Sequence, residues 1–272
     1  MRRKRIFSVL VAIGTLGMIL AAVAVAATIN GTDRGERLKG TEFADTINAN
    51  GGNDRVRAFA GDDTVSGGSG GDLILANAGA DTVNGDNGYD RIYGGDGDDP
   101  ALNGNNGRDR VSGGRGNDGI DGGANHDRLW GNAGNDTTNG GDGPDRIAGG
   151  EGNDTSHGGN GNDLIFANLG VDESFGGPGN DDLWALARGD VDKSVPLDTI
   201  GDTLHGGEGN DRFHLRDGEV DTVDCGAGDD IALLDEVDVI TGATTENPNG
   251  ECETVKRAKP EDKKKGGKKS GD

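Results

Sequence analysis

Apolar side chains recur singly along most of this chain. Val56, Val65, Ile74, Val83 and Ile92 stand nine residues apart. After one extra residue, Val111, Ile120, Leu129, Ile147, Ile165 and Leu183 continue the column. Ala101 falls in the same place between the two runs, and Thr138, Ser156 and Ser174 interrupt it. Two positions before each of these stands Asp: 54, 63, 72, 81, 90 and 99, then 109, 118, 127, 136, 145, 154, 163, 172 and 181. Gly precedes that Asp by two positions in 14 of these 15 units, with Asn125 the exception. Each unit reads as one tight turn and one short strand. In Gly158-Gly159-Asn160-Gly161-Asn162-Asp163 the glycines permit positive φ, and Asn and Asp bond their own backbone. Leu164-Ile165-Phe166 is then a strand with Ile165 inward and its neighbours outward. Two units make a coil of 18 residues, so alternate units build two opposed parallel sheets with strands about 4.8 Å apart. The regular array predicts an all-β solenoid, a parallel β-roll of seven to eight coils and roughly 35 Å. Thr138, Ser156 and Ser174 are 18 apart and share one sheet. They read as tolerated small residues, or as a surface grooved for a partner.

The pattern also divides the chain. Residues 28–183 are the expected roll. After Asp181 the register breaks, with a polar loop to Ile200. Asp202-Thr203-Leu204 resumes the strand signal, and Gly206 to Asp211 restores a strict turn. From Ile231 to Val255 Gly thins, which predicts an atypical capping coil, because solenoid ends must be covered. Residues 184–255 are therefore irregular repeats and cap, with Trp184 expected to pack at that cap. The tail 256–272, rich in Lys and Gly, is expected to be disordered. At the other end a basic Met1–Arg5 precedes an apolar run to Leu20 and an Ala-rich stretch to Ala27. That layout predicts a secretory signal peptide over 1–27. An uncleaved membrane anchor is the alternative, since Ile6 to Ile29 is long enough to span. Cys225 and Cys252 are the two cysteines. In an exported chain an even count predicts a disulfide, here pinning the cap.

Composition explains why turns must do so much. Gly fills 54 of 272 positions, aromatics only 4%, and the formal charge is −22. Leu, Ile, Val and Phe together are too few for a thick core, and the values fall in the range of disordered chains. The acids are concentrated between the basic ends. Such a density of like charge opposes compaction unless counter-ions bind. It argues for a cation as partner of this region and against nucleic acid.

The unit resembles the GGxGxDxUx nonapeptide of the RTX (repeats-in-toxin) parallel β-roll. Strict GGxGxD precedes Asp72, Asp99, Asp118, Asp145, Asp154, Asp163, Asp181 and Asp211. With Gly31-Thr32-Asp33 near the start and Asp221-Thr222-Val223-Asp224-Cys225-Gly226 near the end, the chain looks like small exported calcium-binding, hemolysin-type repeat proteins of actinobacteria. The resemblance implies several Ca2+ ions, each between turns two units apart on one edge. Calcium takes six to eight oxygens, which two stacked turns can supply from carboxylates and carbonyls. Carried over, this pairs Asp145 with Asp163, Asp163 with Asp181, and Asp99 with Asp118. It also pairs Asp54 with Asp72, Asp63 with Asp81, Asp72 with Asp90, and Asp136 with Asp154. Asp109 and Asp211 complete the expected ligands, while Asn125 puts the turn of Asp127 in doubt. The acidic region is expected to be largely disordered without calcium and to fold outside the cell.

No enzyme is expected. His126, His157, His205 and His214 are the only histidines, and none sits in an HExxH or a GxSxG setting. The function expected is an extracellular calcium-binding structural, adhesive or binding module. Cell-wall or matrix polymer is a candidate partner, with no membrane contact after signal cleavage. The alternatives are a calcium-dependent secreted hydrolase and a membrane-anchored surface protein.

Overall fold

The computed structural model describes residues 25–185, 201–243 and 250–257. Most of the expected export signal, the polar loop before Ile200 and most of the basic tail lie outside those residues. Every regular element described is a strand, and every strand pairing is parallel. The strands form two sheets, of thirteen and twelve strands. Successive strands alternate between the sheets, as a period of nine with 18 residues per coil requires. Partners are 18 residues apart through most of the array, for example Ile147 opposite Ile165 and Thr138 opposite Ser156.

The core is the single column read from the sequence, contributed by both sheets. Ile47, Val65, Val83, Leu102 and Ile120 point inward from the first sheet. Val56, Ile74, Ile92, Val111, Leu129, Ile147, Ile165 and Leu183 face them from the second. Each is fully or almost fully buried, which stabilises by roughly 1.5–3 kcal/mol per side chain. Thr138, Ser156 and Ser174 are buried on the first sheet, and Thr138 Oγ1 donates to or accepts from Ser156 Oγ at 3.0 Å. They line the inside of the roll and form no outer groove.

Two sequence expectations are corrected. The extra residue sits between Asp99 and the core, so Leu102 and not Ala101 is the inward side chain, opposite Val83 and Ile120. Pro100 is the added residue; it lacks an N–H to offer the ladder, so the chain bulges there and resumes register at Ala101, opposite Thr82. Trp184 does not pack under a cap. It lies on the outer face of the second sheet, stacked on His214 with ring centroids 3.7 Å apart.

The same two sheets also run on beyond Leu183. Leu204, Val223 and Ile240 extend the first, and Phe213, Ala232 and Val255 the second. With twelve strands along the path of each sheet, the solenoid is roughly 50–55 Å long. Cys225 and Cys252 are bonded, closing a 27-residue separation across the last coils.

Candidate metal centre

The turns place every conserved-register Asp inside the roll, not on its surface. The reason is geometric. Each Asp ends a turn whose next residue begins a strand, and its side chain folds back under the bend. The Oδ1 atom accepts the backbone N–H of the Asp one coil earlier. On one edge this runs without a break from Ala27 through Asp45, Asp63, Asp81, Asp99, Asp118, Asp136, Asp154, Asp172, Asp202 and Asp221 to Asp238. On the other it runs from Glu36 through Asp54, Asp72, Asp90, Asp109, Asp127, Asp145, Asp163, Asp181, Asp211 and Asp230 to Glu253. Most of these bonds are 2.6–2.9 Å, as expected for N–H donors to a carboxylate. All fourteen aspartates expected from the sequence lie in these two ladders. Each expected pair is joined by one such bond.

The second oxygen is different. Oδ2 of all fourteen is buried and has no hydrogen-bond partner. A buried acceptor without a partner costs about 1–3 kcal/mol, more when charged. Burial accordingly raises the carboxyl pKa values, against the lowering effect of the backbone N–H and with some help from neighbouring carboxylates. Asp90, Asp99, Asp136, Asp145 and Asp181 are pushed up to about 7, and Asp72, Asp109, Asp154, Asp163 and Asp211 to about 6.

Carbonyl oxygens stand beside these orphaned atoms. A methyl group placed on Gly158 would meet Asp163 Oδ2 and Gly176 O, each at 2.5 Å. The carboxylate oxygen and the next coil's carbonyl are therefore no more than about 5 Å apart, which one ion with bonds of 2.3–2.6 Å can bridge. Gly67 has the same relation to Asp72 Oδ2 and Gly85 O, at 2.6 and 2.8 Å. The donor set is hard oxygen throughout, which suits calcium. In the turns of Asp54, Asp63 and Asp81 the equivalent glycine is Ala49, Ala58 or Ala76, each fully buried or nearly so. A methyl group enters the cradle there, and those turns fit an ion less well.

The degenerate turns keep the strict turns' backbone. Asn77, Asn105, Asn132 and Asn168 have φ of 71–85° where strict turns carry the second Gly. Asn tolerates that region because its short side chain bonds locally. Asn125 (φ 87°) likewise stands in for Gly, so Asp127 joins its ladder normally. Phe59 (φ 93°) is the costly case, and the Arg57 guanidinium lies 4.6 Å from its ring centroid.

Sequence reading missed three members of one turn. Asp217 and Glu219 occupy the second and fourth places of the turn ending in Asp221, where strict turns have Gly. One carboxylate oxygen from each of the three lies within 4.8 Å of the others. The signal was available as Asp and Glu at glycine positions, but the turn's broken motif concealed it. The histidines are not gathered into a site. His157 and His205 stack on either face of Phe175, and His214 lies against Trp184.

The family model of the RTX calcium-binding nonapeptide repeat matches in overlapping copies spanning residues 30–99, 103–183 and 201–232. The chain belongs to the RTX calcium-binding repeat family. That is about two thirds of its length, and the matched stretches follow the two ladders as far as Asp221 and Asp230. The RTX roll binds calcium at multiple sites and is a calcium-dependent structural or binding module. Comparison with curated proteins gives no match. Among solved structures, a hyperactive, Ca2+-dependent, β-helical antifreeze protein from an Antarctic bacterium is 20% identical, covering 74% of this chain and 71% of that chain, with a TM-score of 0.36.

Proposed function

We propose that this RTX protein is an extracellular module whose β-roll folds when calcium is bound between successive turns, and that it serves as a structural or adhesive scaffold. The observation carrying this reading is the column of buried Oδ2 atoms without partners. The Asp of each turn with Gly at its first place would hold the ion with backbone carbonyls of the stacked turn. Asp145, Asp163 and Asp181 on one edge, and Asp99, Asp118, Asp136 and Asp154 on the other, are the strongest ligands. Bound calcium neutralises the repulsion along each ladder and cross-links adjacent coils. The chain's own part is to bury the carboxylates dry, hold each by its Oδ1 bond, and present carbonyls beside them. At free calcium 100-fold above the dissociation constant, each site adds about 2.7 kcal/mol. Extracellular modules are tuned to about 0.1–1 mM, which suits folding after export.

Far-UV circular dichroism of the full chain, titrated with calcium, then chelator, then magnesium, tests this. A coil-to-β transition reversed by chelator and not produced by magnesium is the expected result. A β spectrum indifferent to chelator at neutral pH would remove calcium from the folding argument. N-terminal sequencing of the exported chain tests location, with a start near Ala27 expected. The enzyme alternative has little support, since the buried carboxylates are held in the ladders and His157, His205 and His214 lie in ring stacks on the outer faces. A hydrolase screen of the calcium-loaded chain should stay blank.

A further inference from the structure

The outer face of the second sheet carries a row of cations that the acidic composition hides. The residue after the ladder carboxylate is outward, and on this sheet it is Arg37, Arg55, Arg91, Arg110, Arg128 and Arg146, all exposed, with Leu73 between Arg55 and Arg91 and with Leu164 and Asp182 following Arg146. They are in register. Arg37 lies opposite Arg55, and Arg91, Arg110, Arg128 and Arg146 follow one another on adjacent strands. Neighbouring guanidinium groups thus start about 4.8 Å apart. Like charges directly opposite in a sheet are destabilising. The chain has 49 acids against 27 Lys and Arg, so pairing partners were abundant. Yet among the described residues none of these six arginines forms an ion pair. On the first sheet the same position is mostly Thr, at Thr28, Thr46, Thr64, Thr82, Thr137 and Thr155, with Gly119 and Glu173 among them. The cations are confined to one face of the roll.

An aromatic column runs beside them. Two residues further along the strands stand Tyr93 and Trp130 beside Arg91 and Arg128, then Phe166 and Trp184 on the strands after Arg146, all partly or well exposed, with Ser112 and Ala148 between them. Two shallow depressions lie along this face. One is lined by Arg55, Arg91, Arg110 and Arg128 beside the ladder residues Asp54, Asp72, Asp90 and Asp109, the other by Trp130, Arg146, Phe166, Trp184 and Asp182.

We propose that this face binds an extended acidic polysaccharide, with its carboxylates on the arginine row and its sugar faces on the aromatic column. The guanidinium fork matches a carboxylate bidentately, which a lysine row would not. Aromatic rings on an outer sheet face, Tyr93 being 44% exposed, offer an apolar platform to the C–H face of a sugar. The solenoid supplies a straight, periodic row, which fits a linear polymer and not a compact ligand. Nucleic acid shares the stacking and charge logic but fits less well. Its phosphates carry one charge per 3.4 Å of each strand, denser than this row. The proposal rests on the calcium-folded reading, because the row exists only when the coils are stacked and the ladders' charge is neutralised.

The chain's two tryptophans, Trp130 and Trp184, both lie on this face, so intrinsic fluorescence reports the site directly. The experiment titrates the calcium-loaded full chain with hyaluronan oligosaccharides, neutral dextran and oligothymidylate, with circular dichroism recorded in parallel. Saturable change with hyaluronan and none with dextran is expected. R110S/R128S/R146S should weaken binding at least tenfold while keeping the β spectrum. The corresponding Lys variant should fall between, and T64A/T82A on the other face should bind as the parent. An unchanged fluorescence with a full β spectrum, or Arg variants that bind like the parent, would overturn the proposal. Oligothymidylate binding tighter than hyaluronan and lost in the same variants would reassign the face to nucleic acid. A chain that shows no β spectrum in calcium would sink the folding reading instead, and this one with it.

Discussion

Replacing Asp163 by Asn separates the two jobs of the ladder carboxylate. Asn is nearly isosteric, and its Oδ1 can still accept the Asp145 N–H, which is 2.7 Å away in the parent ladder. What changes is Oδ2, the buried atom without a partner. Without an ion that oxygen is a burden, since burial raises the Asp163 pKa to about 6. Neutralising it should relieve about 1–3 kcal/mol. With calcium the same oxygen would be a ligand together with the nearby Gly176 carbonyl of the next coil. Losing a ligand of a site worth about 2.7 kcal/mol at 100-fold excess should cost about 1–3 kcal/mol. The two effects have opposite signs. The assay is β ellipticity, read in chelator and across a calcium titration. Asp163→Asn should show more residual structure in chelator and a calcium midpoint several-fold higher than the parent. A variant less structured than the parent in chelator, or one with an unchanged calcium midpoint, would refute the reasoning.

Three further outcomes are expected. The folded carboxyls near pKa 7, such as Asp90, Asp99 and Asp145, hold protons that the unfolded chain gives up near its ordinary value of 3.8. The ion-free roll should therefore lose stability as pH rises from about 4 to about 7, while calcium binding tightens over the same range and releases protons. Ellipticity in chelator against pH, and proton release on calcium addition, check this; more structure in chelator at pH 8 than at pH 4 would contradict it. Gly161→Ala puts a Cβ against Gly143 O at a φ of 151°, which should cost a few kcal/mol and raise the calcium midpoint. Reduction of Cys225–Cys252, which closes a 27-residue loop, should remove about 3–4 kcal/mol. That loss should appear as earlier thermal loss of the C-terminal coils, read by proteolysis near Asp235.

The repeat, the two sheets, the inward column and the ladder pairs were legible because all of them follow from one period. Nine residues per turn and strand leave no second way to place Ile165 or Asp163. The misreadings came where a local residue overrode that period. Pro100 shifted the inward residue to Leu102, because counting from Asp99 assumed no bulge. Trp184 stands two after the strand's first residue, Asp182, and that place makes it outward and not part of the cap. The arginine row was missed because net charge was averaged over the chain, when the 18-residue coil sorts Arg and Thr onto separate faces. The buried Oδ2 atoms were beyond sequence reading, since motif spacing says which residues meet and not which atom is left without a partner.

The alternation of the sheets imposes a parity rule on any change of length. Removing two units, 18 residues, would shorten the roll and leave both outer faces as they are. Removing one unit would carry every downstream arginine onto the threonine face and break the row. The chain's own irregularities obey this rule. The single residue at Pro100 is absorbed in a bulge, and Asp172 to Asp202 spans 30 residues yet remains one coil step on the same edge. Copies of this architecture can therefore be lengthened or trimmed in even numbers of units without relocating what each face displays.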